Sequence, residues 1–137
     1  MINADVLIRA RHVILIAHIC VAACLLWEIQ PNVKACVKEG DLADICKTYR
    51  SLAIPGLAGT LCISVAELFA FESGLTMFTK VSSIFSVVAH VIGSVILYHS
   101  VAGCHFDWFQ TTFMTTSVLP AAVDVLCSVP GVFCRFD

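Results

Sequence analysis

The sequence contains 137 residues, of which 59% are hydrophobic and only 13% are charged, and its mean hydropathy is +0.93. A soluble domain is about 45–50% apolar and about 25% charged, so this chain lacks the polar residues that would cover a water-exposed surface. The net charge is −2, and no cluster of Lys and Arg is present to bind the phosphates of nucleic acids or of anionic lipids. These proportions predict an integral membrane protein with one domain, residues 1–137.

Four apolar runs follow one another along the chain, and each can cross a hydrocarbon core of about 30 Å at about 1.5 Å per residue. Lipid offers no partner for backbone polar groups, so each run is predicted to be an α-helix. Short links favour antiparallel neighbours, which predicts an all-α, antiparallel four-transmembrane-helix bundle. The loops carry equal numbers of Lys and Arg on the two sides, so their charge does not decide the orientation. The predicted spans are residues 13–29, 52–71, 81–101 and 108–129.

The first loop is long and has a helical pattern of its own. Asp41 is a suitable N-cap, and Leu42, Ile45, Cys46 and Tyr49 fall on one face of a helix. This pattern predicts a short amphipathic helix, which lies on the bilayer surface or packs on the top of the bundle.

Three cysteines, Cys36, Cys46 and Cys104, share one aqueous side of the predicted bundle. Thiols gathered on one side suggest a disulfide in an oxidising compartment. A Cys36–Cys104 bond would tie the first loop to the third, but the sequence does not determine the connectivity, and three free thiols are the alternative.

Ionisable side chains inside a membrane are costly and mark candidate sites. Four such residues lie at membrane depth, one from each predicted span: His18, Glu67, His90 and Asp124. Counted from the side of the termini, His90 lies about 14 Å deep and the other three about 6–8 Å. The shared depth predicts an intramembrane polar clasp, in which carboxylates accept hydrogen bonds from imidazoles and hold the helices in register. A proton relay and a metal site are the alternatives.

Small residues recur at helical spacing on two spans. Gly56, Thr60 and Ser64 form one line on the second span, and Ser86 and Gly93 belong to another on the third. Small side chains let helices approach closely, so these lines predict helix packing within the chain or against other proteins.

Pro120 lies inside the fourth span, one turn before Asp124. Proline has no backbone N–H, so a kink is predicted at this point, with Thr116 near enough to help satisfy the break. Such a kink is a hinge in a transporter and a feature of shape in a structural protein.

Several of these segments resemble the transmembrane protein 107 family of the ciliary transition zone. The stretch from Glu67 to Phe78 is the most specific, and Asp124 stands where the family is expected to have a glutamate. The C-terminal residues Cys134–Asp137 replace a basic tail. The resembling segments are Leu15–His18, Ala35–Cys36, Ala66–Leu68, Ser73–Phe78, Ala89–His90, Cys104 and Leu119–Asp124.

The resemblance implies a structural component of the transition zone that helps to assemble the Meckel syndrome complex with Meckelin, the tectonics and other multispan proteins. That complex gates the composition of the ciliary membrane and supports ciliogenesis. The resemblance also implies cytosolic termini, with both cysteine-bearing loops outside. A bundle with small-residue faces would then pack laterally against its partners and slow diffusion.

Two other functional classes remain open. A small proton-coupled transporter or channel would use Glu67 and Asp124, and a membrane enzyme would use glutathione or a quinone. The sequence has no Cys-x-x-Cys, no nucleophile elbow and no phosphate-binding glycine loop. We therefore expect no enzymatic activity, cofactor, metal or small-molecule substrate.

Overall fold

The computed structural model describes residues 4–36, 42–74, 80–106 and 108–128, and these are helical apart from short turns. Three of the helices contain segments long and apolar enough to cross a membrane, Asp5–Trp27, Cys46–Glu72 and Ser82–Ala102. The prediction of an all-α protein with long apolar helices is confirmed. In chain order, the helices are α1 (Ala4–Trp27), α2 (Ile29–Cys36), α3 (Leu42–Glu72), α4 (Lys80–Ala102), α5 (Trp108–Phe113) and α6 (Leu119–Ser128), with a π-helical turn (Met114–Val118) between the last two.

Helix α1 starts well before the predicted first span. It begins at Ala4 rather than Val13, and it ends at Trp27. Polar side chains do not interrupt a helix, because its backbone hydrogen bonds are internal. The carboxylate of Asp5, in the first turn, stabilises the positive end of the helix dipole. The hydropathy pattern therefore located the apolar part of α1 correctly. The helix itself begins nine residues before the predicted span and so includes Arg11.

The predicted short helix in the first loop is not a separate element. Leu42 begins α3, which continues through Pro55 to Glu72. Cys46 and Tyr49 pack against the apolar core, and the Tyr49 ring lies 5.1 Å from that of Phe106. The segment therefore packs on the bundle, while Asp41, the predicted N-cap, lies outside the described residues.

The predicted fourth span is helical in three consecutive pieces, α5, the π-helical turn and α6. The N–H of Leu119 donates to the carbonyl of Met114, five residues earlier, which is the hydrogen bond of a π-helix. Pro120, which is buried, follows immediately and has no N–H to continue an α-helical ladder. Within this π-helical turn, the hydroxyl of Thr116 donates to the carbonyl of Thr112, one turn earlier, at 2.8 Å.

An apolar core fills the end of the molecule that holds the cysteine-bearing turns. A disulfide joins Cys36, the last residue of α2, to Cys104, with their Cα atoms 5.7 Å apart, whereas Cys46 is a free thiol. The bond ties α2 to the turn that follows α4 and closes this end of the core. Its buried members come from α2, α3, α4 and the α5 region: Ile29, Val33, Ala53, Leu57, Leu97, Phe106 and Phe109.

The small residues predicted to support packing are all buried inside the chain. A Cβ added to Gly56 would lie 3.2 Å from the backbone of Phe109, and one added to Gly93 would lie 2.7 Å from the Cβ of Thr116. Thr60, Ser64 and Ser86 are buried too. These lines therefore bring α3 and α4 against the fourth segment, which is packing within the chain, the first of the two alternatives.

Candidate functional site

The opposite end of the molecule has a polar core, and Arg11 of α1 lies at its centre. Arg11 is 1% exposed, and its guanidinium forms ion pairs with Glu67 of α3 and Asp124 of α6. The Nη2 atom lies 3.0 Å from Oε1 of Glu67, and Nη1 lies 3.5 Å from the hydroxyl of Ser83 on α4. The guanidinium also sits over the ring of Phe71, 5.2 Å from its centroid. A single side chain thus connects three other helical segments.

Each carboxylate is also bound by α4. The hydroxyl of Ser86 donates to Oε1 of Glu67 at 2.6 Å, and Nε2 of His90 lies 3.0 Å from Oε2. The hydroxyl of Ser82 donates to Asp124. Since Ser82, Ser86 and His90 recur every four residues, one face of α4 supplies all three contacts.

His18 lies beyond the carboxylates, next to His90. Its Nδ1 donates to the hydroxyl of Ser94 at 2.9 Å, and that hydroxyl donates to the carbonyl of His90 at 2.8 Å. The two imidazole rings lie 4.8 Å apart. The proton is assigned to Nδ1 of His18 because the Ser94 hydroxyl already donates its own hydrogen to the carbonyl of His90. Its oxygen can therefore only accept from the imidazole.

The four residues predicted to form a polar clasp are therefore close together, but in a different order from that expected. Glu67 contacts His90 directly, and Asp124 joins them through Arg11. His18 does not lie level with the carboxylates, because both of these pair with Arg11, nearer the start of α1. It lies two turns beyond Arg11, roughly 10 Å along the axis.

Arg11 was missed because it lies just before the apolar run and resembles a charge that flanks a membrane span. Two features of the sequence point to it. Arg11 and His18 are seven residues apart and so lie on one helix face. In addition, two carboxylates buried in lipid need a cation, and Arg11 is the nearest basic residue to the first span on that face.

The charged side chains of the polar core hold the helices together. One guanidinium, that of Arg11, faces the carboxyl groups of Glu67 and Asp124. Ser82, Ser86 and His90 bind the same two carboxyl groups with further hydrogen bonds. Such a network fixes the relative positions of the helices, because separating any two of them leaves a buried charge without its partner. Among the residues that the structure describes, no three or more His, Cys, Asp or Glu side chains are arranged to hold a metal ion.

The sequence matches the family model named TMEM107, a transmembrane protein family, over residues 7–128. It is 30% identical over 121 residues to transmembrane protein 107 of Mus musculus, which covers 86% of this chain and 85% of the relative. The Homo sapiens protein of the same name is 30% identical over 128 residues, or 87% and 86% of the two chains. The Xenopus laevis protein is 29% identical over 123 residues, or 88% and 86%. No solved structure matches the chain.

Proposed function

The chain belongs to the transmembrane protein 107 family, and from this membership we propose that it is a structural component of the ciliary transition zone. In this role it helps to assemble the Meckel syndrome complex, which gates the composition of the ciliary membrane. It is a multi-pass membrane protein with long apolar helices. The family match across residues 7–128, which includes every member of the polar core, carries the proposal.

The proposed topology has four antiparallel spans, with both termini in the cytosol. Three spans are α1, α3 and α4, and the fourth is the segment from α5 to α6. Arg11 near the start of α1 meets Glu67 near the end of α3, Ser83 near the start of α4 and Asp124 near the end of α6. These pairings support alternating directions. The disulfide lies at the other end, which suits an oxidising, non-cytosolic side.

The polar core is proposed to keep the bundle rigid enough to serve as one face of an assembly. Partners would meet the exposed sides of the helices, since the small residues are buried. On α4 the exposed face consists of branched and aromatic side chains, which are compatible with lipid and with another protein's helix. These residues are Ile84, Phe85, Val88, Val91, Ile92 and Val95.

Recovery of Meckelin and tectonics with the tagged protein tests this proposal in ciliated cells. Glu67→Leu removes the acceptor of Arg11, Ser86 and His90, so we expect less Meckelin and tectonic to be recovered with it. The control is Glu72→Leu, a change five residues further along α3, at a carboxylate whose ion pair with His12 is exposed. Undiminished recovery with Glu67→Leu, or no recovery with the unaltered protein, would contradict the proposal.

A proton-coupled transporter or channel using Glu67 and Asp124 is the second candidate, and it is favoured by the buried carboxylates and imidazoles in the polar core. Because both carboxylates are paired with Arg11, proton exchange would require these ion pairs to open. Proton flux in liposomes that is abolished by Glu67→Gln would support this class over a structural component.

A further inference from the structure

The geometry points to a binding site for the phosphate of a membrane phospholipid at the end of the bundle that carries the disulfide. A cleft of about 90 Å³ opens between α2 and the first part of α3. Lys34 of α2 and Arg50 of α3 line it, and the buried side chains of Ile29 and Val33 form its apolar wall. The cleft thus combines two cations with an apolar surface.

A second groove, of about 330 Å³, adjoins the first because Arg50 lines both. Lys47 borders it on the polar side, and Ile54 and Pro55 border it one turn further into the apolar part of α3. Three cations therefore surround two adjoining grooves whose far end is apolar. This order, from charged to apolar along the membrane normal, matches a phospholipid with its phosphate at Arg50 and an acyl chain along Ile54.

The depth of Arg50 agrees with this occupant. Arg50 directly precedes the apolar run of α3, in which residues 51–66 contain no Asp, Glu, Lys or Arg, so its guanidinium lies at the edge of the hydrocarbon. The phosphates of a bilayer lie at that polar boundary. A guanidinium binds a phosphate with two parallel hydrogen bonds, and a lysine adds a compact charge.

The cations are available for such a ligand. Lys34, Lys47 and Arg50 are exposed, and none of them forms an ion pair among the residues that the structure describes. Lys47 and Arg50 lie three residues apart on α3, and the fold brings Lys34 of α2 to the same cleft as Arg50. Carboxylates in residues 37–41, such as Glu39, lie outside the described residues and are the rival partners of these cations.

Titration of the delipidated protein in detergent tests the site. The probes are dioleoyl phosphatidylglycerol and dioleoylglycerol, which share acyl chains and differ in the phosphate, with bound lipids counted by native mass spectrometry. We expect saturable binding of one phosphatidylglycerol and no binding of dioleoylglycerol at the same concentrations. Arg50→Gln should weaken phosphatidylglycerol binding about fivefold, the effect of one basic residue near a membrane surface.

The matched control is Arg9→Gln, which removes an exposed cation from α1 at the opposite end of the bundle. It should leave the affinity for phosphatidylglycerol unchanged. Equal binding of dioleoylglycerol, unchanged affinity in Arg50→Gln, or an equal loss in Arg9→Gln would overturn the assignment. Absence of any phosphatidylglycerol binding would also overturn it, and would indicate that the rival carboxylates neutralise the cluster. An intact disulfide in each variant verifies that this end of the molecule is folded.

Discussion

Replacing Arg11 with methionine is the change expected to damage the bundle most. Methionine keeps a long side chain near Phe71 but provides no cation for Glu67 or Asp124. Both carboxylates then remain in a part of the molecule that excludes solvent, with hydroxyl and imidazole donors as their remaining partners. The helices that Arg11 connects lose their common contact.

The expected loss of stability in Arg11→Met follows from the burial of its ion pairs with Glu67 and Asp124. Removing one partner of a buried ion pair costs about 3–5 kcal/mol, because the other charge is left without compensation. A carboxyl group in that position can take up a proton, which limits the loss, so we expect about 3 kcal/mol for Arg11→Met. An ordinary interhelical hydrogen bond in a membrane is worth about 1 kcal/mol, and the two cases are therefore distinguishable.

The free energy of unfolding can be measured by titrating the protein with sodium dodecyl sulfate in mixed micelles and following its circular dichroism. Arg9→Met, an exposed change two residues away on α1, is the control and should cost far less. Adding Glu67→Gln to Arg11→Met should cost less than Glu67→Gln costs in the unaltered protein, because the residues are coupled. Equal losses in Arg11→Met and Arg9→Met, or strictly additive losses in the double variant, would refute the reasoning.

Two further changes test the packing and the covalent closure of the bundle in the same assay. Gly93→Ala should cost about 1–3 kcal/mol, because the added Cβ would lie 2.7 Å from that of Thr116. Val91→Ala, on the exposed side of α4, should cost less, and the reverse order would contradict this contact. Cys36→Ser should cost about 2–4 kcal/mol, because it removes a disulfide between residues 68 apart. Reducing agent should then have no further effect on that variant, whereas Cys46→Ser should remain sensitive to it.

Hydropathy was enough to predict the long apolar helices but not where they begin. Apolar composition marks the part of a helix that lipid can surround, whereas the helix itself continues as long as its backbone hydrogen bonds do. That is why α1 extends back to Ala4 and α3 back to Leu42, through polar residues. The predicted third span, residues 81–101, differs from α4 by one residue at each end.

The polar core was only partly predictable for a similar reason. Residues such as Glu67 and Asp124 stand out because charge is rare in an apolar run. Arg11 does not stand out, since its role depends on where α1 starts and on which helices surround it. The cations of the cleft were not predictable as a group either, because Lys34 and Arg50 come to line one cleft only when α2 packs on α3.

The π-helical turn illustrates a choice that local sequence leaves open. Pro120 shows that one N–H is missing, but the residues around it do not show which hydrogen-bond pattern accommodates that loss. The close approach of Gly93 to Thr116 lies at this turn, so the outcome depends on packing between α4 and the fourth segment. The sequence pattern of one helix cannot predict a contact with another helix.

The position of the protein in its own cell tests the proposed function most directly. The measurement is to image a tagged copy, expressed at its natural level, against a marker of the basal body. A transition-zone component is predicted to form a compact focus immediately distal to that marker. A diffuse signal in the plasma membrane or in internal membranes would contradict the proposal.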